Sequence, residues 1–135
     1  MAQTFSASVD AWVMESKRRM MAVFQTALQY TVEEVIDRTP VDTGFLRASF
    51  KGSDAGFAPV TQGRGIAGGG YSVQPYALVI AGLDDGDTFY GNFTANYAVY
   101  VENGSRGRAG RHMVKLAAQN WQVNVNRAVA QIRKS

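Results

Sequence analysis

A tripeptide within residues 38–50 is the first candidate for chemistry in this chain. Asp42, Thr43 and Gly44 form the Asp-Thr-Gly triplet that aspartic proteases place around their catalytic carboxylate. Those proteases use two carboxylates that share one proton. Because the sequence contains a single triplet, a catalytic pair would require a homodimer in which the two copies meet at Asp42.

The neighbouring residues favour a turn at this position. A retroviral-type protease embeds its triplet in an apolar strand of an all-β fold, whereas polar Arg38 and Thr39 precede this one. Pro40 ends a helix, and the Asp42 carboxylate can cap the turn by accepting from the backbone N–H of Gly44. We therefore predict a helix-ending turn, and a homodimeric aspartic protease is the remote alternative function.

The residues that follow the triplet are candidates for a subunit contact. Leu46 docks the next segment onto the core, and Arg47 is free to pair with Asp42 or with a carboxylate on a neighbouring subunit. The predicted turn and contact consist of Pro40, Asp42, Thr43, Gly44, Leu46 and Arg47.

No other part of the sequence supports catalysis or a bound cofactor. Asp84, Asp85 and Asp87 do not fit an EF-hand, which alternates its ligands and ends on a distant glutamate. The glycine-rich residues 61–70 match neither the P-loop nor the dinucleotide-binding pattern. His112 is the only histidine and the chain has no cysteine, so the usual zinc ligand set cannot form. We therefore predict no enzyme activity, no cofactor and no metal site.

Positive charge is concentrated just before the final predicted helix. The cluster consists of Arg106, Arg108, Arg111 and Lys115, with His112 among them. The helix macrodipole disfavours cations at an N-terminus, so the cluster is reasonable if it meets phosphate or an acidic neighbour. A solvated loop, residues 105–112, is the other interpretation. Sequence-independent DNA binding is therefore an alternative function, whereas base reading is not expected because no aromatic residues lie between the basic ones.

The composition is that of one small globular domain. A chain of 135 residues, of which 46% are apolar and 19% charged, holds one hydrophobic core. Without cysteine, stability must come from packing or from partner subunits. No stretch approaches about 20 apolar residues and no signal peptide is recognisable, so no membrane partner is expected. The net charge of +3 gives a weak preference for polyanions.

A long N-terminal helix is the clearest predicted element. Apolar residues mostly three, four and seven apart run from Val9 to Val35, and Pro40 sets the end, so the helix is predicted over residues 8–37. Its length of about 45 Å exceeds what a compact domain of ~14 Å radius of gyration can cover. A second apolar face contains Trp12, Met14, Met21, Val23, Leu28, Val32 and Ile36. This face either widens the buried side of the helix or contacts another subunit.

The middle of the chain predicts a small antiparallel sheet. A strand begins near residues 48–51, and a mobile glycine-rich loop, about residues 52–70, follows it and is expected to order on assembly. Residues 71–83 and 88–94 are rich in β-forming residues and are predicted to pair as a hairpin through an Asp-Asp-Gly-Asp turn.

The C-terminal part predicts two helices. Residues 96–104 favour a short helix over a strand because their large side chains have helical spacing. An amphipathic helix is predicted over residues 111–132, packed on the sheet. The fold class is therefore α+β in a single domain of residues 1–135, with a long N-terminal helix, a small antiparallel sheet, a glycine-rich loop and a C-terminal helix.

Two motifs, in this order, resemble those of a known protein family. The first, Pro-x-Asp-Thr-Gly-x-Leu-Arg-x-Ser, is present at residues 40–49, where the long helix ends. The second is present as Tyr97, Tyr100, Val101, Glu102, Gly104 and Ser105. With the long helix before them and a helix after them, they resemble the tail-completion or neck proteins of long-tailed bacteriophages. The chain departs from many relatives after the second motif, where a basic segment replaces a proline-rich, aromatic stretch.

The resemblance implies a non-enzymatic structural protein of the virion. It implies a closed ring of identical subunits at the head–tail junction, for which a hexamer is favoured and a dodecamer is the second choice. Implied partners are the head connector or head-closure proteins on one side and the tail terminator or tail tube protein on the other. Genome DNA would pass through the lumen without specific contacts. Such a protein would assemble in the bacterial host cytoplasm and remain in the virion neck.

Overall fold

The computed structural model describes residues 5–40, 44–60 and 76–134. Within these ranges the chain forms six helices and four short strands. The helices are α1 (Phe5–Arg38), α2 (Phe45–Ala48), α3 (Ala77–Ala81), α4 (Ala98–Asn103), α5 (Met113–Gln119) and α6 (Trp121–Lys134). The strands are β1 (Phe50–Ser53), β2 (Tyr90–Phe93), β3 (Gly104–Ser105) and β4 (Arg108–Ala109). The predicted α+β class is confirmed.

Helix α1 confirms the predicted long N-terminal helix. It contains 34 residues, which corresponds to about 51 Å at ~1.5 Å per residue. The Thr39 backbone N–H donates to the Ile36 carbonyl at 3.1 Å, and the Thr39 hydroxyl donates to the Val35 carbonyl at 2.7 Å. These bonds close the last turn, and Pro40 prevents the helix from continuing.

The C-terminal part of α1 forms the main core with α3, α5 and α6. The buried cluster at its centre contains Val32, Val35, Ile36, Phe50, Ile80 and Ala117. Where α1 meets α6, the rings of Phe24 and Trp121 pack edge to face with their centroids 6.1 Å apart. The buried side-chain amide of Asn124 donates to the Thr31 hydroxyl at 3.0 Å, so this polar group keeps a hydrogen bond inside the interface.

The strand pairing differs from the predicted hairpin. Strands β1 and β2 pair with each other in antiparallel register, with Phe50 opposite Phe93. The predicted strand over residues 71–83 is wrong at residues 77–81, which form α3, while residues 71–75 lie outside the described residues. A short apolar run suits a buried strand and a buried helix equally well. In the structure this run is helical and packs against α1.

The acidic segment between α3 and β2 forms the predicted turn, although it does not join two strands. The Asp87 backbone N–H donates to the Asp84 carbonyl at 3.0 Å. The Asp87 carboxylate accepts from the Asp84 backbone N–H at 2.8 Å. Gly86 between them has a φ of +90°, which favours glycine. The aspartates therefore stabilise the turn itself.

The predicted glycine-rich loop, residues 52–70, begins later than expected. Its first two residues belong to β1. Further along, the Asn92 side chain on β2 accepts from the Ala58 backbone N–H at 3.1 Å and donates to the Ala58 carbonyl at 2.9 Å. This paired contact holds the chain beside the sheet, and residues 61–70 lie outside the described residues.

The prediction of one continuous helix over residues 111–132 is wrong, because the helix is divided into α5 and α6 at Asn120. The Asn120 side chain donates to a carboxylate oxygen of Glu34 on α1 at 2.9 Å. This bond ties the break to α1. On α5 the core side is marked by the buried Met113, whereas Val114 faces solvent.

Candidate functional site

The two sequence motifs, which are distant in the chain, lie against each other in the fold. The Phe45 ring at the start of α2 stacks on Tyr97, with centroids 6.3 Å apart and an interplanar angle of 25°. Leu46 is buried in a second core cluster together with Ala95 and Met113. The first motif therefore packs on the second through its own apolar side chains.

Arg47 of the first motif holds the C-terminal end of α1. Its Nε donates to the Thr39 carbonyl at 2.8 Å, and its Nη2 donates to the Asp37 carbonyl at 3.1 Å. A guanidinium at this position satisfies carbonyls left without helical partners and complements the negative end of the macrodipole. The sequence predicts a carboxylate partner for Arg47, but its partners in the described part of the chain are backbone carbonyls. Asp42 and Thr43 lie outside that part.

Gly44 redirects the chain into α2. It precedes the helix in the left-handed conformation, with φ 86° and ψ −7°. Its carbonyl accepts from the Ala48 backbone N–H at 3.0 Å, which closes the single turn of α2. Only glycine adopts this conformation without a steric cost, which explains the glycine of the first motif.

Glu102 of the second motif caps α5. Its Oε1 accepts from the backbone N–H of Val114 at 2.9 Å, and its Oε2 accepts from that of Lys115 at 3.1 Å. The carboxylate satisfies two N–H groups of the first turn and complements the positive end of the macrodipole. Sequence reasoning missed this role because the hairpin separates Glu102 from α5, so the local spacing of a capping box is absent.

The predicted basic loop is a tight β-hairpin. Strands β3 and β4 pair with Ser105 opposite Arg108. The two turn residues, Arg106 and Gly107, have φ values of 51° and 79°. Two successive positive φ angles are typical of a type I′ turn, which joins strands through two residues. The hairpin therefore holds its arginines in a defined arrangement.

Gly104 brings this hairpin close to α4. Its φ is +91°, and a Cβ added there would lie 2.6 Å from the Arg108 carbonyl oxygen. After the hairpin the chain returns along α4, where the Arg111 backbone N–H donates to the Val101 carbonyl at 2.8 Å. A side chain at Gly104 would separate these segments, which explains the glycine of the second motif.

The motifs and the hairpin enclose a cleft of about 1250 Å³. Its apolar side is formed by Pro40, Leu46, Tyr97, Tyr100 and Val101. Its basic side is formed by Arg106, Arg108 and Arg111. These three arginines are exposed, and no carboxylate of the described residues forms an ion pair with them. Lys115, the fourth predicted basic residue, does not line the cleft.

Comparison with protein families places the first motif, and the second as far as Gly104, in a known group. The family described as "Bacteriophage HK97-gp10, putative tail-component" matches residues 3–104, which is more than half of the chain. The chain belongs to the HK97-gp10-like family. This confirms the predicted resemblance at the level of the family. The HK97-gp10-like protein is thus a structural protein associated with a phage tail.

The family match covers the apolar side of the cleft and ends before its basic side. Residues 3–104 include Tyr97, Tyr100 and Val101, whereas the arginines of the hairpin follow the matched region. No curated protein and no solved structure matches the chain. The basic side therefore lies outside the matched residues.

The HK97-gp10-like protein also exposes several large apolar side chains on α1. We define residues 6–20 as the outer segment of this helix and residues 21–38 as the inner segment. On the outer segment Trp12 is 69% exposed, Met14 65% and Met20 71%. The outer segment thus extends beyond the core, as the predicted length of the helix requires.

Two further kinds of site are absent from the part of the chain that the structure describes. Within residues 5–40, 44–60 and 76–134, no group of three histidine or acidic side chains is arranged to hold a metal ion. None of the described helices is both long and apolar enough to cross a membrane. The cleft and the outer segment remain as the two candidate functional surfaces.

Proposed function

We propose that this HK97-gp10-like protein is a ring subunit of the neck of a tailed phage, where it joins the head connector to the tail. The observation that carries the proposal is the exposure of large apolar side chains along the outer segment. An apolar surface of this kind marks a contact with another protein. A subunit of a permanent assembly keeps such a surface covered, and membership in a family of phage tail components supports an assembly of that type.

The proposed assembly is a closed ring around the channel that the genome crosses. A hexamer is our first choice for its symmetry and a dodecamer the second. One face of the ring binds the head connector or head-closure proteins, and the other binds the tail terminator or tail tube protein. The net charge of +3 suits a lumen crossed by DNA without sequence preference. The protein is structural, assembles in the host cytoplasm and stays in the neck of the virion.

Sequence-independent DNA binding is a second candidate function, favoured by the exposed arginines in and just after the hairpin. Arg106, Arg108 and Arg111 are grouped on one side of the cleft and have no ion-pair partner among the described residues. Phosphate contacts would make the affinity for DNA fall steeply with salt. Measuring DNA binding by fluorescence anisotropy at low and high salt tests this candidate, and no binding at low salt would exclude it.

Inactivation of the gene in its phage tests the proposed neck function. We expect the mutant lysate to contain DNA-filled heads and complete tails that stay separate in electron micrographs. Adding the purified protein should restore joined, infectious particles. A folded variant with Trp12→Lys and Met14→Lys is the matched control and should restore few or none. Joined particles in the mutant lysate, or a lysate without tails, would contradict a role in joining.

A further inference from the structure

We infer that the cleft of one subunit binds the outer segment of α1 from the next subunit of the ring. This inference rests on the proposed function, since it names the contact by which identical subunits follow one another. The occupant is therefore a second copy of this chain, and the contact is heterologous: two different surfaces meet, and the pair repeats around the ring.

The cleft has the chemistry of a site for an apolar helix that carries negative charge. The aromatic rings of Tyr97 and Tyr100 lie on its apolar side together with Leu46. Arg106, Arg108 and Arg111 form its basic side, and no acidic residue lines the cleft among those that the structure describes. Glu102, which is close in sequence, is already bound to the N-terminus of α5. A partner is therefore favoured if it supplies both apolar side chains and a carboxylate.

The outer segment has the complementary character. Val9, Trp12 and Val13 follow the three and four residue spacing that places side chains on one face of a helix, and all three are exposed. Before Lys17 the only charged side chains of the chain are the carboxylates of Asp10 and Glu15. The first third of α1 is thus apolar and acidic, as the cleft requires.

The two carboxylates differ in their availability. Glu15 is engaged by Arg18 at 3.3 Å and by Arg19 at 3.2 Å within α1. Asp10 has no ion-pair partner among the described residues, and it lies one residue after Val9 and two before Trp12. Asp10 is therefore the carboxylate that we assign to the arginines of the neighbouring cleft.

The geometry of α1 requires the occupant to come from another copy. Pro40, which follows the C-terminal end of α1, lines the cleft. Trp12 lies near the other end of the same uninterrupted helix, and Arg38 follows it by 26 positions, which span about 39 Å at ~1.5 Å per residue. A chain cannot place its outer segment in its own cleft over this distance. The two complementary surfaces lie at opposite ends of a rigid helix. Subunits that bind through them therefore follow one another head to tail.

DNA as the occupant of the cleft would account for fewer of its features than the outer segment does. DNA would bind the arginines through its phosphates, but it would leave the apolar side of the cleft and the outer segment uncovered. The observations therefore favour protein over nucleic acid at this site, and DNA binding at the cleft is an outcome that would overturn the inference.

Disulfide crosslinking in assembled phage particles tests the contact directly, because the chain has no cysteine of its own. The test variant carries Val13→Cys and Tyr100→Cys, both at side chains exposed in the single chain. After mild oxidation we expect a ladder of linked subunits on a non-reducing gel, which ends at the number of subunits in the ring. Neither single variant should form linked subunits. If the substitution at Val13 prevents assembly, Val9→Cys replaces it.

A charge exchange supplies an independent readout on the purified protein. Asp10→Lys and Arg108→Asp should each weaken self-association at least tenfold, and the chain with both substitutions should recover most of the loss. Mass photometry measures the association, and circular dichroism confirms that each variant is folded. Lys17→Asp, on the same helix but outside the acidic part, is the control and should have a smaller effect.

The outcomes separate this contact from the neck function. Joined particles that contain the double cysteine variant but give no ladder would overturn the inference while leaving the proposed function intact. Linked dimers from Val13→Cys alone would show that outer segments pair with each other, which also overturns it. DNA that protects the cysteine at position 100 from maleimide labelling would assign the cleft to nucleic acid.

Discussion

The outer and inner segments of α1 belong to one uninterrupted helix but are stabilised in different ways. In the inner segment Ala27 is 0% and Val32 4% exposed, and this part packs against α5 and α6. In the outer segment Trp12 is 69% exposed, and Glu15 forms exposed ion pairs with Arg18 and Arg19. Exposed pairs of this kind contribute only about 0.3 to 0.5 kcal/mol each.

The difference shows that a continuous helix can be stabilised by core packing along only part of its length. Both segments carry apolar side chains at helical spacing, but only the inner segment has a core to receive them. Apolar residues cost free energy when they stay in water, at ~25 cal/mol for each Å² of apolar area. The exposed apolar side chains of the outer segment are therefore best explained as a surface that another molecule covers.

The largest expected difference between the segments is in stability. Ile36→Ala removes a buried side chain of the inner segment and should lower the free energy of unfolding by about 2 to 5 kcal/mol. Met20→Ala, in the exposed outer segment, is the matched control and should change it by less than about 0.5 kcal/mol. Urea denaturation at a concentration where the chain is monomeric measures both. A similar loss for the two variants would show that the outer segment is packed in the single chain.

The next effect compares Arg47, which binds the C-terminal end of α1, with Arg19 in the outer segment. Arg47→Ala removes two hydrogen bonds to the helix terminus and should cost about 1.5 to 3 kcal/mol. Arg19→Ala removes an exposed ion pair and should cost less than about 0.5 kcal/mol. Arg47→Lys should lie between them, because lysine cannot form both bonds in the same geometry. Equal unfolding midpoints for the alanine variants would contradict the role assigned to Arg47.

A smaller loss of stability is expected when the carboxylate of Glu102 or that of Glu15 is replaced. Glu102→Gln weakens the cap of α5 and should cost about 1 kcal/mol. Glu15→Gln, in the outer segment, should cost less than about 0.5 kcal/mol because its ion pairs are exposed. Thermal denaturation of both variants measures the difference. Amide exchange of α5 should also increase in the Glu102 variant, and unchanged exchange would argue against the cap.

The smallest effect is a pH dependence at Tyr76, which packs against the main core. Burial raises the pKa of Tyr76 above its usual value of 10.0, and the carboxylates of Glu33 and Asp37 raise the same pKa further. The unfolded chain then loses the proton at lower pH than the folded chain, so the stability contribution is complete below about pH 10 and is lost as the pH rises through the folded pKa. Tyr76→Phe should therefore lose less stability between pH 9 and 11. An identical decline in both proteins would contradict this.

The sequence predicted the helices better than the strand pairing, for physical reasons that particular residues show. The spacing of apolar residues and Pro40 are local signals that define α1. The spacing of the large side chains defines α4 in the same way. The apolar run near Ile80 fits a strand or a helix, and only contact with α1 decides between them. The partner of β2 is β1, whose residues are distant in sequence, and no local signal specifies that pairing. The break at Asn120 depends on Glu34, which is also distant.

The residues of the candidate site could be predicted from the sequence, but their arrangement in space could not. Both motifs and the basic cluster are visible in the sequence, yet their meeting around one cleft depends on the Phe45 and Tyr97 contact between distant segments. Glu102 was recognised only as a motif residue, because its partners on α5 follow the hairpin. The contribution of Arg47 to α1 has no sequence pattern either, because its partners are backbone carbonyls, which every residue type carries.

The central claim, that the outer segment is covered in the assembly, is tested most directly by a cryo-electron microscopy map of the head–tail junction in the phage that carries this gene. The account predicts a ring of copies of the chain in which Trp12 of each copy is buried against a neighbouring subunit. A map in which residues 6–20 face solvent, or in which the chain is absent from the junction, would contradict it.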